Sequence, residues 1–278
     1  MNTLAFSALI AAGAFSAGLL GALTGLGGGI IVVPLLTLVF GVDLRYAIGA
    51  SLVSVIATSS GAAAAYVKEG YTNVRVGMLL EIATTLGALG GAWLATRIST
   101  GAIAIVFGLV LLFSAWRSLR PVAEHVSLEA AHPLAVRLRL NSDYPTPAGR
   151  QPYAVRAVPL GFGIMGIAGV LSGLLGIGSG IVKVLAMDQA MGLPFKVSTT
   201  TSNFMIGVTA AASAGVYLQR GYIDPGLCLP VMLGVLGGAL LGARILSGAK
   251  PRVLRVIFTV VVVVMAAQML YKGATGGV

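Results

Sequence analysis

A chain of 278 residues with 57% hydrophobic and only 9% charged side chains cannot clothe a water-facing surface, because soluble domains carry about 25% charged residues. Its mean hydropathy of +0.97 and the apolar stretches recurring along its whole length make it an integral, polytopic membrane protein. The net charge of +10 does not imply a nucleic-acid partner, since the basic residues gather between apolar stretches, where they set membrane orientation.

From the N-terminus, residues 4–24 are apolar with no Lys or Arg ahead of them. They lack the basic n-region of a signal peptide and are expected to form a retained helix. The glycine-rich "TGLGGGIIVVP" (24–34) follows and leads into a short apolar segment, 28–40. Further segments at 46–66, 74–96 and 101–119 are expected helices. Residues 121–157 are the one sizeable polar region, with five prolines and both histidines, His125 and His132. There "LAVRLRL" and "YAVRAV" alternate apolar with basic residues, the pattern of a short β-hairpin. The histidines lack cysteine or acidic partners at metal spacing and read as solvated loop residues. Five more apolar segments follow at 157–175, 179–191, 198–218, 227–246 and 253–271. The single Cys228 excludes an intramolecular disulfide and a cysteine metal cluster.

The chain is internally duplicated. Residues 21–92 align without a gap on 172–243 at a constant offset of 151. Gly25, Gly27, Gly29 and Ile30 fall on Gly176, Gly178, Gly180 and Ile181, and Ser51 and Thr58 fall on Ser202 and Thr209. Tyr66, Gly70 and Tyr71 fall on Tyr217, Gly221 and Tyr222. A repeat of this kind defines the domains: an N-terminal transmembrane repeat (1–120), a linker (121–157) and a C-terminal repeat (158–278). The second segment of each half is too short to span, since spanning takes about 20 residues. As one helix, residues 4–40 would run about 55 Å, too long for a single crossing. The first two segments of each half therefore either cross twice as a pair or dip in and return as a pair. Both choices give an odd number of crossings per half, so the halves are expected to be inverted. With the linker in the cytoplasm, thirteen Lys and Arg then lie inside and four outside, as the positive-inside rule requires. Both termini come out on the outer side.

Inverted halves with glycine-broken helices are the architecture of secondary transporters, whose sites lie between the halves near the midplane. Exposed N–H groups at the broken ends favour anions. The expected substrate site is Gly27, Gly28 and Gly29 facing Gly178, Ser179 and Gly180, with Ser51, Ser202 and Asn203 as polar neighbours. The competing reading is that these glycines only permit close helix packing. Lys183 lies in an otherwise apolar segment where the first half has Val32, and an ionisable group there is a functional candidate by default. It can serve the anion, or pair structurally with Asp188. Asp188 and Gln189 are expected at the interface. The hydroxyl run "STTTSNF" (198–204) suits either oxyanion binding or helix capping. Glu81, the one carboxylate deep in a long apolar segment, matches Met232 of the other half and is a weaker candidate for carrying a proton. The glycines are not a nucleotide loop, lacking a preceding strand and a following Lys-Ser/Thr. No Ser-His-Asp, Cys-His or HExxH arrangement supports an enzyme, and neither cofactor nor metal is implied.

At these residues the sequence resembles the TauE/SafE sulfite exporter family. The resemblance is carried by "GALTGLGGGIIVVPLL", "GVDLRYAIGASL", "LGALGGAWLA", the repeated "GLLGIGSGI", "FKVSTTTSNF" and "GGALLGARI", over most of residues 10–270 except the linker. It implies export of sulfite, sulfoacetate or related small sulfur-containing anions across the inner membrane. One departure bears on the site: Leu185 stands where the first copy has Pro34, and Ser179 and Lys183 stand where it has Gly28 and Val32. The second half is therefore expected to hold the polar side of the site. A cation or metal permease and a non-transporting scaffold are the alternatives. The expected partners are a small anion and the lipid bilayer, with the Gly87–Gly91 stripe packing internally or making a homodimer.

Overall fold

The computed structural model describes residues 3–24, 28–68, 70–119, 131–146, 149–246 and 251–277. It is an all-α membrane architecture with helices α1 Thr3–Thr24, α2 Gly29–Pro34, α3 Leu44–Lys68, α4 Val74–Ala95 and α5 Thr100–Leu119 in the first half. The second half has α7 Val158–Leu175, α8 Gly180–Leu185, α9 Phe195–Gln219, α10 Pro225–Leu246 and α11 Pro251–Thr275. Six of them (α1, α4, α5, α7, α10 and α11) are long and apolar enough to cross a membrane. The 25-residue α3 and α9 carry the hydroxyl-rich stretches and pack on each other at the centre.

Most boundaries fall within a few residues of expectation, and local chemistry accounts for them. Asn73 caps α4 by accepting from the Val76 N–H, which satisfies one of the helix's orphan donors. Helix α9 begins at Phe195, three residues earlier than expected, because Pro194 with ψ 140° ends the extended entry there. The "STTTSNF" run therefore starts inside the helix and does not cap it.

The linker folds differently from its sequence pattern. "LAVRLRL" is not a strand: residues Pro133–Arg137 form a one-turn helix, α6. His132 caps it, its Nδ1 accepting from the Leu134 N–H at 3.2 Å, and Pro133 sits in the first turn, where a missing N–H costs nothing. A hairpin does form, one stretch later, from β1 Ser142–Thr146 and antiparallel β2 Gly149–Tyr153. This unit is docked. The Asn73 amide donates to the Leu140 carbonyl and to the Tyr153 hydroxyl, both at 2.8 Å, and Arg75 donates to the Arg139 carbonyl. Ala135, Leu140, Tyr153 and Val155 share a core with Val76, Met187, Met191 and Val197. His125 lies outside the described residues.

In both halves the short segment runs back along the first helix toward that helix's start. Gly28 packs on Gly18, and the far end, Phe40, reaches Gly13 and stacks edge-on against Phe6 at 6.1 Å. Likewise Met191 comes back to Gly161, and its carbonyl accepts from the Arg156 N–H. Each return arm is six α-helical residues followed by a five-residue π-helical turn, Leu35–Val39 and Ala186–Ala190. Its length is about 16 Å at 1.5 Å per residue. The π turns are 151 residues apart, and one follows Pro34 while the other follows Leu185, so proline is not their cause.

Glycine contacts set the packing. Gly234, Gly238 and Gly242 of α10 meet Ala11, Phe15 and Leu19 of α1, so these helices run parallel. Gly87 and Gly91 of α4 meet Gly166 and Val170 of α7, and Gly169 and Gly173 meet Thr84 and Ala88. That pair is parallel too, and the Gly87–Gly91 stripe is used inside the molecule. A Cβ at most of these positions would run into backbone, so the glycines are what let the helices approach. In contrast, α3 and α9 are antiparallel, Gly49 lying against Tyr222 and Ser59 against Gly207, as are α5 and α11, where Gly101 meets Gly273 and Gly108 meets Leu270.

At one end of the α3–α9 pair Arg45 lies over the Tyr222 ring at 5.7 Å, and it also donates to the Ala95 and Ile98 carbonyls. At the other end Lys196 lies over the Tyr71 ring at 3.8 Å. The two clasps are related by the offset of 151, and each joins one half to the other.

Candidate functional site

The two glycine bends meet. A Cβ on Gly29 would lie 2.8 Å from Val55 and 3.6 Å from the Gly176 carbonyl oxygen, and one on Gly178 would lie 3.5 Å from the same Val55. Gly27 lies outside the described residues. Ser51 stitches the bends together, donating to the Gly176 carbonyl at 2.8 Å and the Gly29 carbonyl at 3.4 Å. Ser202 repeats the second bond at the duplicated position, donating to the Gly180 carbonyl at 3.4 Å. Both serines thus fasten a short helix to a long one, and neither is an open donor as the sequence suggested. Thr199 and Thr200 donate to carbonyls of the preceding turn, and Thr201 accepts from the Asn73 N–H. Asn203 is half-buried on α9.

Ser179 behaves differently. Its backbone is left-handed, with φ 48° and ψ 33°, between Gly176 and Gly178 at φ +69° and the start of α8. A side chain rarely adopts this region, and holding it there costs roughly 1–3 kcal/mol. Gly28, the equivalent residue, has an ordinary φ of −67°. The left-handed conformation thus falls on the serine while its glycine counterpart does without it. The Ser179 hydroxyl is buried and, among the described residues, has no hydrogen-bond partner; the same holds for Ser172 on the preceding helix.

One turn further on, Lys183 is fully buried at 0% exposure. It does not snorkel to an interface. Its ammonium donates to the Thr209 hydroxyl at 2.6 Å, and that hydroxyl donates to Glu81 Oε1 at 2.7 Å, which also accepts from Thr85 at 3.2 Å. Glu81 is 8% exposed, and its Oε2 has no partner among the described residues. Helices α8, α9 and α4 thus bring together two ionisable residues that the sequence treated separately. The hinge between them, Thr209, was missed as a site residue. Its retention as Thr58 in the other half was the signal available. Of the two polar residues expected at the interface, Gln189 is exposed, but Asp188 is buried, because the return arm packs against the docked linker.

Comparison with known proteins agrees with this architecture. Residues 9–269 match the family model described as sulfite exporter TauE/SafE. The chain is 28% identical over 265 residues to the probable membrane transporter protein YunE of Bacillus subtilis, covering 92% of this chain and 94% of that one. It is 29% identical over 231 residues to the probable membrane transporter protein YdhB of the same organism, covering 83% and 86%. It is also 26% identical to the probable membrane transporter protein MJ0441 of Methanocaldococcus jannaschii, covering 92% of each. No solved structure matches the chain. With its helix hairpins, its buried polar centre and a family match over nearly its whole length, the chain belongs to the sulfite exporter TauE/SafE family of membrane transporters.

Proposed function

We propose that this protein is a secondary transporter, working as an exporter, for small sulfur-containing anions such as sulfite or sulfoacetate. The observation that carries the reading is Ser179: a buried hydroxyl without a partner among the described residues, on a strained backbone inside a glycine bend, one turn from a buried lysine. An oxyanion supplies an acceptor for the hydroxyl and a second counter-charge for the ammonium, which otherwise meets Glu81 only through Thr209. In this reading the anion sits at the bends of Gly28–Gly29 and Gly178–Gly180, with Asn203, next to Ser202 on α9, as a further polar neighbour.

Transport is by alternating access of two inverted halves. Support comes from the antiparallel course of α3 against α9 and of α5 against α11, each pair being duplicated helices. The two clasps, one at each end of the α3–α9 pair, are the contacts that opening to either side must break in turn. The protein lies in the inner membrane, surrounded by lipid, with the linker in the cytoplasm and both termini outside. The test is uptake of labelled sulfite, sulfoacetate, taurine and sulfate into proteoliposomes. Saturable flux of a sulfur oxyanion, weakened at least tenfold in Ser179→Ala, is expected; absence of flux for all four overturns the reading.

A further inference from the structure

We propose that Glu81 is the proton-binding site of the carrier, that anion and proton bind together, and that Thr209 is the positioning residue that links them. This rests on the anion reading above and adds its coupling ion and charge balance.

The geometry supplies the link. Lys183, Thr209 and Glu81 form one hydrogen-bonded chain near the middle of their helices, with Thr209 accepting from the ammonium and donating to the carboxylate. In this arrangement Lys183 and Glu81 compensate each other. A lone buried charge of either sign is expensive, so neither group can lose its counter-charge without a replacement. An anion arriving at Ser179, one turn from Lys183, becomes the new counter-charge of the ammonium. Glu81 is then left uncompensated, and a proton taken from solvent onto Oε2, the oxygen with no partner among the described residues, neutralises it. In this scheme only Glu81 changes protonation state. The site's formal charge is zero when empty, with ammonium and carboxylate; with a monovalent anion, ammonium and carboxylic acid it is zero again, and with divalent sulfoacetate the added proton holds it at −1 instead of −2.

Other charged groups do not take over this balance. Helix α7, packed on α4, contains no titratable side chain. On α9, Lys196 is engaged with Tyr71 at the helix start, Tyr217 donates to the Gly173 carbonyl, and Arg220 follows the helix end. On α4 itself Arg75 is held by the Arg139 carbonyl at the linker. Asp188 lies beyond Lys183 on the same return arm, toward the linker core. The duplication gives independent support. The positions equivalent to Lys183, Thr209 and Glu81 are Val32, Thr58 and Met232. The hydroxyl is kept, but both ions are absent together, as expected if they are useful only as a pair.

The experiment is anion binding to the purified full chain in weakly buffered detergent, with a pH indicator present and sulfoacetate as the probe. Wild type is expected to take up about one proton per anion bound, and its affinity therefore to fall as pH rises, by linkage. Glu81→Gln, which imitates the protonated acid, is expected to bind sulfoacetate with neither proton uptake nor pH dependence. Thr209→Val is expected to blunt the linkage and Thr209→Ser to restore it, which a purely structural role would not require. Binding by wild type without proton uptake, or undiminished uptake in Glu81→Gln, overturns this inference alone. Failure to bind sulfoacetate, sulfite, sulfate or taurine overturns the anion reading and this one with it.

Discussion

Replacing Lys183 and Glu81 by the residues of the opposite half isolates the energetics of the buried pair. Lys183→Val removes a fully buried ammonium and leaves Glu81 facing Thr209 with no cation behind it. Glu81→Met leaves the converse. Stranding one partner of a buried ion pair costs about 3–5 kcal/mol. The structure places this pair at that scale: both residues are at least 92% buried, and their bonds to Thr209, at 2.6 and 2.7 Å, are short and charge-assisted. For a chain of this size each kcal/mol moves Tm by about 2–4 °C, so each single variant is expected to lose roughly 6–20 °C. The double variant removes both charges and installs the side chains already present at the duplicated positions, Val32 and Met232. It is expected to regain most of the loss, because apolar replacement of a whole buried pair is often neutral. Thermal unfolding in detergent, followed by Trp fluorescence or size exclusion, measures all three. Losses in the singles that simply add in the double would show that the two charges do not act on each other, and the charge-balance argument would fall.

Four further outcomes follow from particular residues. Ser179→Gly relieves the left-handed strain at φ 48° and removes the orphan hydroxyl, so it is expected to raise stability by about 1 kcal/mol while weakening anion binding; a stable variant with unchanged affinity refutes the role given to that hydroxyl. Gly173→Ala drives a Cβ into the Ala88 backbone, whereas Gly163→Ala meets nothing within 4 Å; the first is expected to cost about 1–3 kcal/mol and the second nothing measurable, and equal Tm values would contradict the packing. Arg45→Gln and Lys196→Gln each open one clasp, worth about 0.5–1 kcal/mol, and cysteine reporters placed at the two ends are expected to gain labelling rate at the end released and not at the other. In the hairpin, the Arg150 guanidinium hydrogen-bonds both Asp143 oxygens and holds that carboxyl below its ordinary 3.8. A depressed acid stabilises the fold above its unfolded value and loses that contribution as pH falls through the folded one, so any Tm difference between wild type and Asp143→Asn is expected to be constant above about pH 4 and to vanish in stronger acid. A transition near neutral pH would refute it.

The membrane class, the ten apolar segments and the duplication were legible because each is a property of composition or of aligned residues: spans need length, and glycines that admit a neighbouring helix recur at the same offset. Two features were not legible. The hairpin slipped one stretch along the linker because alternation in "LAVRLRL" is a weaker determinant than Pro133 with a capping His132. The partners of Lys183 and Glu81 were hidden because 102 positions separate them in sequence and only the packing of α8, α9 and α4 brings both to Thr209. A single sequence marks a buried charge as costly without naming what offsets the cost.

That difference also redistributes the roles of the two halves. The hydroxyls kept in both copies, Ser51 and Ser202, do the same mechanical work in each, fastening a return arm to its long helix. What differs between the copies is chemical: Ser179 against Gly28, Lys183 against Val32, and, running the other way, Glu81 against Met232. The duplicated parts build a nearly symmetric scaffold with a clasp at each end, which is what alternating access needs. The unduplicated parts make one polar centre, so the anion reading proposed above calls for a single anion and not a symmetric pair. Installing Lys at Val32 together with Glu at Met232 is the direct check on that asymmetry: with Thr58 already in place, the added pair is expected to be tolerated far better than either charge alone, and Tm values as low for the double as for the singles would refute the equivalence of the two centres.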